Sequence, residues 1–109
     1  MIKLVSLISR KDGMSKQGFM HLWKHEHAAM AKDIPGLRRY VLSYIQSEPT
    51  RPDVPEHDFT CDGIVELWFD DEAQMQLVLA SDAMREWRAH GATFIGRIKA
   101  FLTKEEAFI

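Results

Sequence analysis

The chain has 109 residues, 46% of them hydrophobic and 28% charged, with a formal net charge of -2. That length is one domain's worth, and the balance excludes a disordered tail or a fibre. A sequence pI near 6.2 leaves no basic field for nucleic acid or anionic lipid, and no window is long and apolar enough to span a bilayer.

Ile2 to Arg10, rich in β-branched residues and leucine, predicts a first strand. Lys11-Asp12-Gly13 supplies turn chemistry and Ser15 a helix N-cap. Apolar residues at Phe19, Leu22, Trp23, Met30 and Ile34 then predict a helix over 16–33, ended by Pro35-Gly36. A second strand is expected over 37–46. Residues 47–62 carry Pro49, Pro52 and Pro55 without a periodic pattern; long loops inside compact domains are often functional. The strongly apolar run 63–69 predicts a third strand. Two helical pieces follow over 71–80 and 81–90, the second capped by Ser81 and ended by Gly91, and then a last strand over 98–102. The order β-α-β-β-α-β predicts an α+β, ferredoxin-like domain spanning 1–109, with helices on one face of an antiparallel sheet.

Strand parity adds a second expectation. Val41 and Ile45 point one way and Tyr40, Leu42 and Tyr44 the other; Val65, Leu67 and Phe69 share one face and Ile64 and Trp68 its opposite. Both faces of the sheet call for burial, one under the helices and the other against a partner sheet, most simply that of an identical subunit. A homodimer would also help so small a core.

Among candidate functional residues, His27 comes first. Trp23, His27, Met30 and Ile34 form the stripe facing the sheet, where a partly desolvated imidazole suits general acid–base work, or sits as a core histidine satisfied by one hydrogen bond. His21 and His25 have a metal-compatible spacing but belong to the opposite, solvated stripe with no third ligand in view; no metal is expected. Glu66, among Val65, Leu67, Ile64 and Trp68, must ion-pair or serve chemistry; Arg38, Arg39, Arg85 and Arg88 are its candidate partners. Asp53, His57, Asp58 and Asp62, on or near the long loop, could border a pocket mouth or be ordinary loop polarity. Trp23, Trp68, Trp87, Phe19, Phe69 and Phe94 are core residues first, though some could line a cavity for a flat organic molecule.

The single cysteine, Cys61, lacks a basic neighbour or helix N-terminus that would favour the thiolate, so it reads as inert. It forms no internal disulfide, which suits a reducing compartment, and the first eight residues are too evenly mixed for a signal peptide. A cytoplasmic location is the resulting expectation. No Gly-rich phosphate loop and no Gly-x-Ser-x-Gly elbow is present, which disfavours nucleotide cofactors and serine hydrolysis.

At Arg10-Lys11-x-Gly13-Met14-Ser15, Phe19, Trp23, His27, Pro35-Gly36-Leu37-x-x-Tyr40 and Asp62 to Asp70, the sequence resembles the EthD family, named for ethyl tert-butyl ether degradation. Within that superfamily it resembles the methylmuconolactone methylisomerases more specifically, through Ser81-Asp82, Arg85, Trp87, His90-Gly91, Phe94-Ile95-Gly96, Lys99, Phe101 and Thr103. The resemblance covers nearly the whole chain. It implies a dimeric α+β barrel, catabolism of aromatic-derived compounds, and proton-transfer chemistry on a small lactone acid without a cofactor. His27 then corresponds to the family's first-helix histidine and Tyr40 to its tyrosine after Pro-Gly-Leu. The family's loop histidine before Val-Pro falls on Asp53 and its third-strand cysteine on Leu67, two departures from the pattern.

The leading expectation is therefore an isomerase or lyase for a small, largely apolar metabolite. His27 moves a proton beside a carbonyl, Tyr40 donates to the oxyanion, and Asp53 or His57 assists from the loop. Trp23, Glu66, Trp68, Arg85, Trp87 and His90 are the candidates for lining the substrate pocket. Two alternatives stand beside it. One is a non-catalytic EthD-type protein that binds a hydrophobic metabolite. The other is an oxidoreductase, either cofactor-free or haem-dependent, with His25, His27 or His90 as an axial ligand.

Overall fold

The computed structural model describes residues 1–109. β1 (Ile2–Arg10) leads into one helical rod made of α1 (Lys16–His21), a π-helical stretch (Leu22–His27), α2 (Ala28–Met30) and a 3-10 turn (Ala31–Asp33). Ser15 starts the rod from extended backbone, its hydroxyl accepting from the Gly18 N–H at 3.0 Å. Gly36, at φ +87°, makes the left-handed turn out of it. The π segment was not legible in the apolar spacing. Its wider turn, closed by Ala28 N–H donating to Trp23 O, re-aims the side chains after Trp23, and such segments recur at functional sites.

β2 (Arg39–Tyr44), β3 (Gly63–Phe69), α3 (Glu72–Leu79), α4 (Asp82–Gly91) and β4 (Ile95–Thr103) complete the chain. Asp71 caps α3 by accepting from Gln74 N–H at 2.7 Å. Ser81 caps α4 by accepting from Met84 N–H while donating to Val78 O. The sheet order is β2-β3-β1-β4 with every neighbour antiparallel, so the α+β, ferredoxin-like expectation holds. β4 is longer than the 98–102 expected, because it pairs along β1 from Lys3↔Thr103 to Arg10↔Ile95 and the partner's length sets its own. The pairing shifts register between Ser9 and Arg10, beside Gly96, where a Cβ would meet Arg10 O at 2.8 Å. β2 is shorter than the 37–46 expected.

Register assigns the faces. Ile8, Val65, Leu67, Phe69, Tyr40, Leu42 and Tyr44 lie under the helices; Val5, Leu7, Ile64, Trp68, Val41 and Phe101 lie on the outer face. The core sits between helices and sheet around Trp23, Phe19, Phe69, Phe94, Ile8 and Met84, the largest fully buried side chains. Gly63 is required there, since a Cβ would come within 2.2 Å of the Trp23 ring. Gly91 is not the left-handed helix terminator expected. It is the last residue of α4, followed by Ala92 in ordinary helical geometry, and its lack of a side chain serves a close approach to His27 instead.

Candidate active site

The helical rod delivers His27 to the sheet side, where only 4% of it remains exposed. α4 lies against it. Trp87 stacks on the His27 ring at 4.3 Å between centroids and 10° between planes, and its indole N–H donates to His27 O at 3.0 Å. One turn on, His90 lies nearly parallel to His27, and the two Nδ1 atoms are 2.9 Å apart, a hydrogen bond carrying one shared proton. Phe94 closes the edge of the imidazole at 5.2 Å. Gly91 lets the ring in: a Cβ there would stand 3.2 Å from His27 Cε1 and 3.3 Å from Nε2. Burial, with a smaller contribution from the His90 charge, pushes the His27 pKa down to about 4.

From β2, Tyr40 points under the helices and meets Trp87 edge-on at 5.5 Å, so Trp87 is sandwiched between the imidazole and the phenol. Burial holds the Tyr40 phenol protonated, well above its ordinary pKa, an effect only partly offset by the nearby Trp23 indole. Tyr40 Oη and Trp23 Nε1 are buried polar atoms without a hydrogen-bond partner. Even if the indole reaches the phenolic oxygen, the Tyr40 O–H still lacks an acceptor. Unmade bonds of this kind cost about 1–3 kcal/mol each, and in a native core they mark a place where a ligand oxygen would be welcome.

Of the residues expected from sequence, the structure brings together His27, Tyr40, Trp23, Trp87 and His90. Others stand elsewhere. Asp53 is exposed and chelated by Arg51 at 2.9 Å, and Arg51 lowers its pKa; His57 is exposed on the same loop. Neither shares a hydrogen bond or ring contact with His27 or Tyr40. Arg85 is exposed and paired with Asp82. Glu66 and Trp68 lie on the outer face. Glu66 pairs there with Lys3 at 2.7 Å, not with any of the arginines expected, because Lys3 stands diagonally across the β1–β3 ladder while Arg38 holds Asp70. Trp68 donates to Glu105 at 2.6 Å. Asp62 clamps the loop to Arg10, Asp58 is exposed, and burial raises the Cys61 thiol.

Three clefts of the isolated chain open elsewhere, and most of their lining is polar. One of about 350 Å³ is bordered by Arg10, Asp12 and Cys61, one of about 530 Å³ by Phe59, Arg97 and Lys99, and one of about 630 Å³ by His21 and His25. None is lined by His27 or Tyr40, so the apolar pocket expected from sequence is not among them. His21 and His25 lie side by side on the exposed side of the rod, their rings 5.3 Å apart and tilted by 40°, and no group of three or more His, Cys, Asp or Glu is placed to hold a metal ion. No helix is long and apolar enough to cross a membrane.

The family model for methylmuconolactone methyl-isomerase matches residues 1–107. The chain belongs to that family. It is 35% identical over 109 residues to a 4-carboxymethyl-4-methylbutenolide mutase of Pseudomonas reinekei, covering 96% of this chain and 98% of the relative. In fold, this methylmuconolactone methyl-isomerase family chain is similar to an ethyl tert-butyl ether degradation family protein of Bacillus halodurans. The TM-score is 0.80 at 22% identity, with 97% of this chain and 99% of the other covered. It is also similar to a dimeric ferredoxin-like protein from Thermobifida fusca, at TM-score 0.67 and 15% identity, over 94% and 88% of the two chains. The resemblance to the methylmuconolactone methylisomerases drawn from the sequence motifs is thereby shown, and the likeness to the ethyl tert-butyl ether degradation protein is one of fold. Sequence reasoning missed the His27–His90 pairing; the available signal was the His90-Gly91 dipeptide, a ring followed by a residue small enough for another ring to approach.

Proposed function

We propose that this chain is an isomerase or lyase acting by acid–base chemistry on a small lactone acid or similar carbonyl metabolite. One observation carries the reading: a buried, neutral imidazole, His27, stands across Trp87 from a buried, protonated phenol, Tyr40, whose O–H has no acceptor in the protein. His27 takes a proton from carbon beside the carbonyl, and Tyr40 donates to the oxygen on which charge develops. A base whose pKa lies near 4 is weak, but a carboxylate on the substrate favours the imidazolium and strengthens the base once bound. Membership of the methyl-isomerase family and the likeness to a butenolide mutase support the same class.

The test is turnover of 4-carboxymethyl-4-methylbutenolide and related methyl-substituted lactone acids. His27→Ala is expected to lower kcat by about 10²–10⁴, and Tyr40→Phe by about 10²–10³, with circular dichroism unchanged in both. Full activity in His27→Ala would remove the imidazole from the mechanism. Binding of these compounds without conversion over hours would favour a carrier.

The proposal includes a second copy of the chain on the outer sheet face. Val5, Leu7, Val41 and Ile64 are only half covered there, Phe101 is 46% exposed, and the similar Thermobifida protein is described as dimeric. Sedimentation equilibrium should give a dimer that Val41→Lys shifts toward monomer; a monomeric wild type would end that part of the reading.

A further inference from the structure

We propose that His27 and His90 act as one two-ring proton relay, in which a proton taken up at His27 Nε2 is matched by transfer of the His27 Nδ1 proton to His90 Nδ1. The inference deepens the acid–base reading of the site, yet its own evidence is the pair of rings. They lie 12° from parallel, with one hydrogen bond of 2.9 Å between like nitrogens. Such a contact holds a single proton and gives each ring the opposite role at Nδ1.

The two environments decide where proton and charge rest. His27 is 4% exposed, and its Nε2 makes no hydrogen bond within the protein; Gly91 borders that side of the ring. His90 is half-buried. With both rings neutral, the cheaper arrangement is Nδ1–H on His27 donating to His90, because an N–H at His27 Nε2 would have no acceptor within the protein, whereas His90, the more exposed ring, gives its Nε2–H to water more readily. His27 Nε2 then carries a free lone pair, the form of a base. When a substrate C–H bond breaks, its proton goes to His27 Nε2 and the bonding pair stays on the substrate. The Nδ1 proton crosses to His90. His27 is then neutral again with an N–H at Nε2, the form of an acid, and the positive charge rests on the ring nearer water. Return of the proton to another carbon reverses both transfers, and the pair ends as it began.

Of the rings packed against His27 (Trp87, His90 and Phe94) only His90 is an imidazole able to take up a proton. The relay therefore has a readout that needs no substrate. Long-range ¹H–¹⁵N spectra of ¹⁵N-histidine-labelled protein, recorded from pH 8 down to pH 5, report the protonation of each nitrogen, with resonances assigned by His27→Gln and His90→Gln. As the pair takes up one proton, His27 is expected to stay neutral while its own proton moves from Nδ1 to Nε2. In His90→Gln, which keeps a polar side chain at the position, the His27 tautomer should no longer respond to pH over that range, and the acid limb of lactone turnover should be set by protonation of His27 alone. A His27 ring that charges before His90, or that keeps one tautomer throughout in the wild type, would overturn the relay. A clear tautomer exchange in a protein without lactone turnover would leave the relay standing and sink the proposed isomerase.

Discussion

The two faces of the sheet solve the same problem by different means. Beneath the helices, apolar and aromatic side chains exclude water almost completely: Trp23, Phe19, Phe69 and Phe94 are fully buried, and two of the polar groups admitted, His27 and Tyr40, have pKa values displaced toward their neutral forms. On the outer face, charges are kept and paired. Lys3 binds Glu66 and Glu105, Arg39 lies 4.7 Å over the Trp68 ring, and Trp68 donates to Glu105. Hydrogen bonding to Glu66 raises the Lys3 pKa, and hydrogen bonding to Trp68 first, then Lys3, lowers that of Glu105. Dehydration without a partner forces a titratable group to be neutral, while dehydration beside an opposite charge keeps it ionised. Neutral groups able to exchange protons are what acid–base chemistry asks for, which is why the helix-covered face carries the candidate site.

The sharpest break of this contrast is removal of its apolar side. Trp23→Ala deletes a wholly buried ring that fills the space over Gly63; it should destabilise the fold by about 3–5 kcal/mol, seen as a large fall in the denaturant midpoint. Acid is the next lever. The His27 pKa is depressed to about 4 from an ordinary value of about 6.5, so between those values the unfolded chain binds the proton and the folded one does not. The stability from keeping this ring neutral is fully present above about pH 6.5 and is lost as pH falls toward about 4, amounting to roughly 2 kcal/mol after allowance for screening. Urea titrations across that range should show the loss in wild type and a flatter profile in His27→Gln; equal slopes would deny His27 its part in acid sensitivity. Least is expected of Arg85→Ala, whose pair with Asp82 is exposed. It should move stability by under about 0.5 kcal/mol and leave lactone turnover unchanged, and a marked loss of turnover would bring Arg85 back toward the site.

Much of the fold was legible in the amino-acid order. β1 and β3 begin and end where their apolar runs do, and Ser15 and Ser81 cap their helices because a hydroxyl there meets a free backbone N–H. His27 stood out since the Trp23–Ile34 stripe is local and periodic. Asp53, His57, Glu66 and Trp68 were named for their residue types or neighbours in the chain, and neither the path of a long loop nor the ion-pair partner of a strand residue is written in periodicity. The length of β4 was likewise hidden, since pairing with β1 extends it through residues that carry no strand signal of their own.

By itself, then, the sequence determined the order of elements, the alternation that splits the sheet into two faces, and the placing of an imidazole on a buried stripe. These follow from local stereochemistry and from the repeat lengths of helix and strand, which act over a few residues. Tertiary structure alone decided that His90, 63 positions further along the chain, would share a proton with His27, that Trp87 would lie between His27 and Tyr40, and that Lys3 would neutralise Glu66. Contacts of that range depend on the register between strands and on the packing of α4 against the π-helical turn, and no local pattern encodes either.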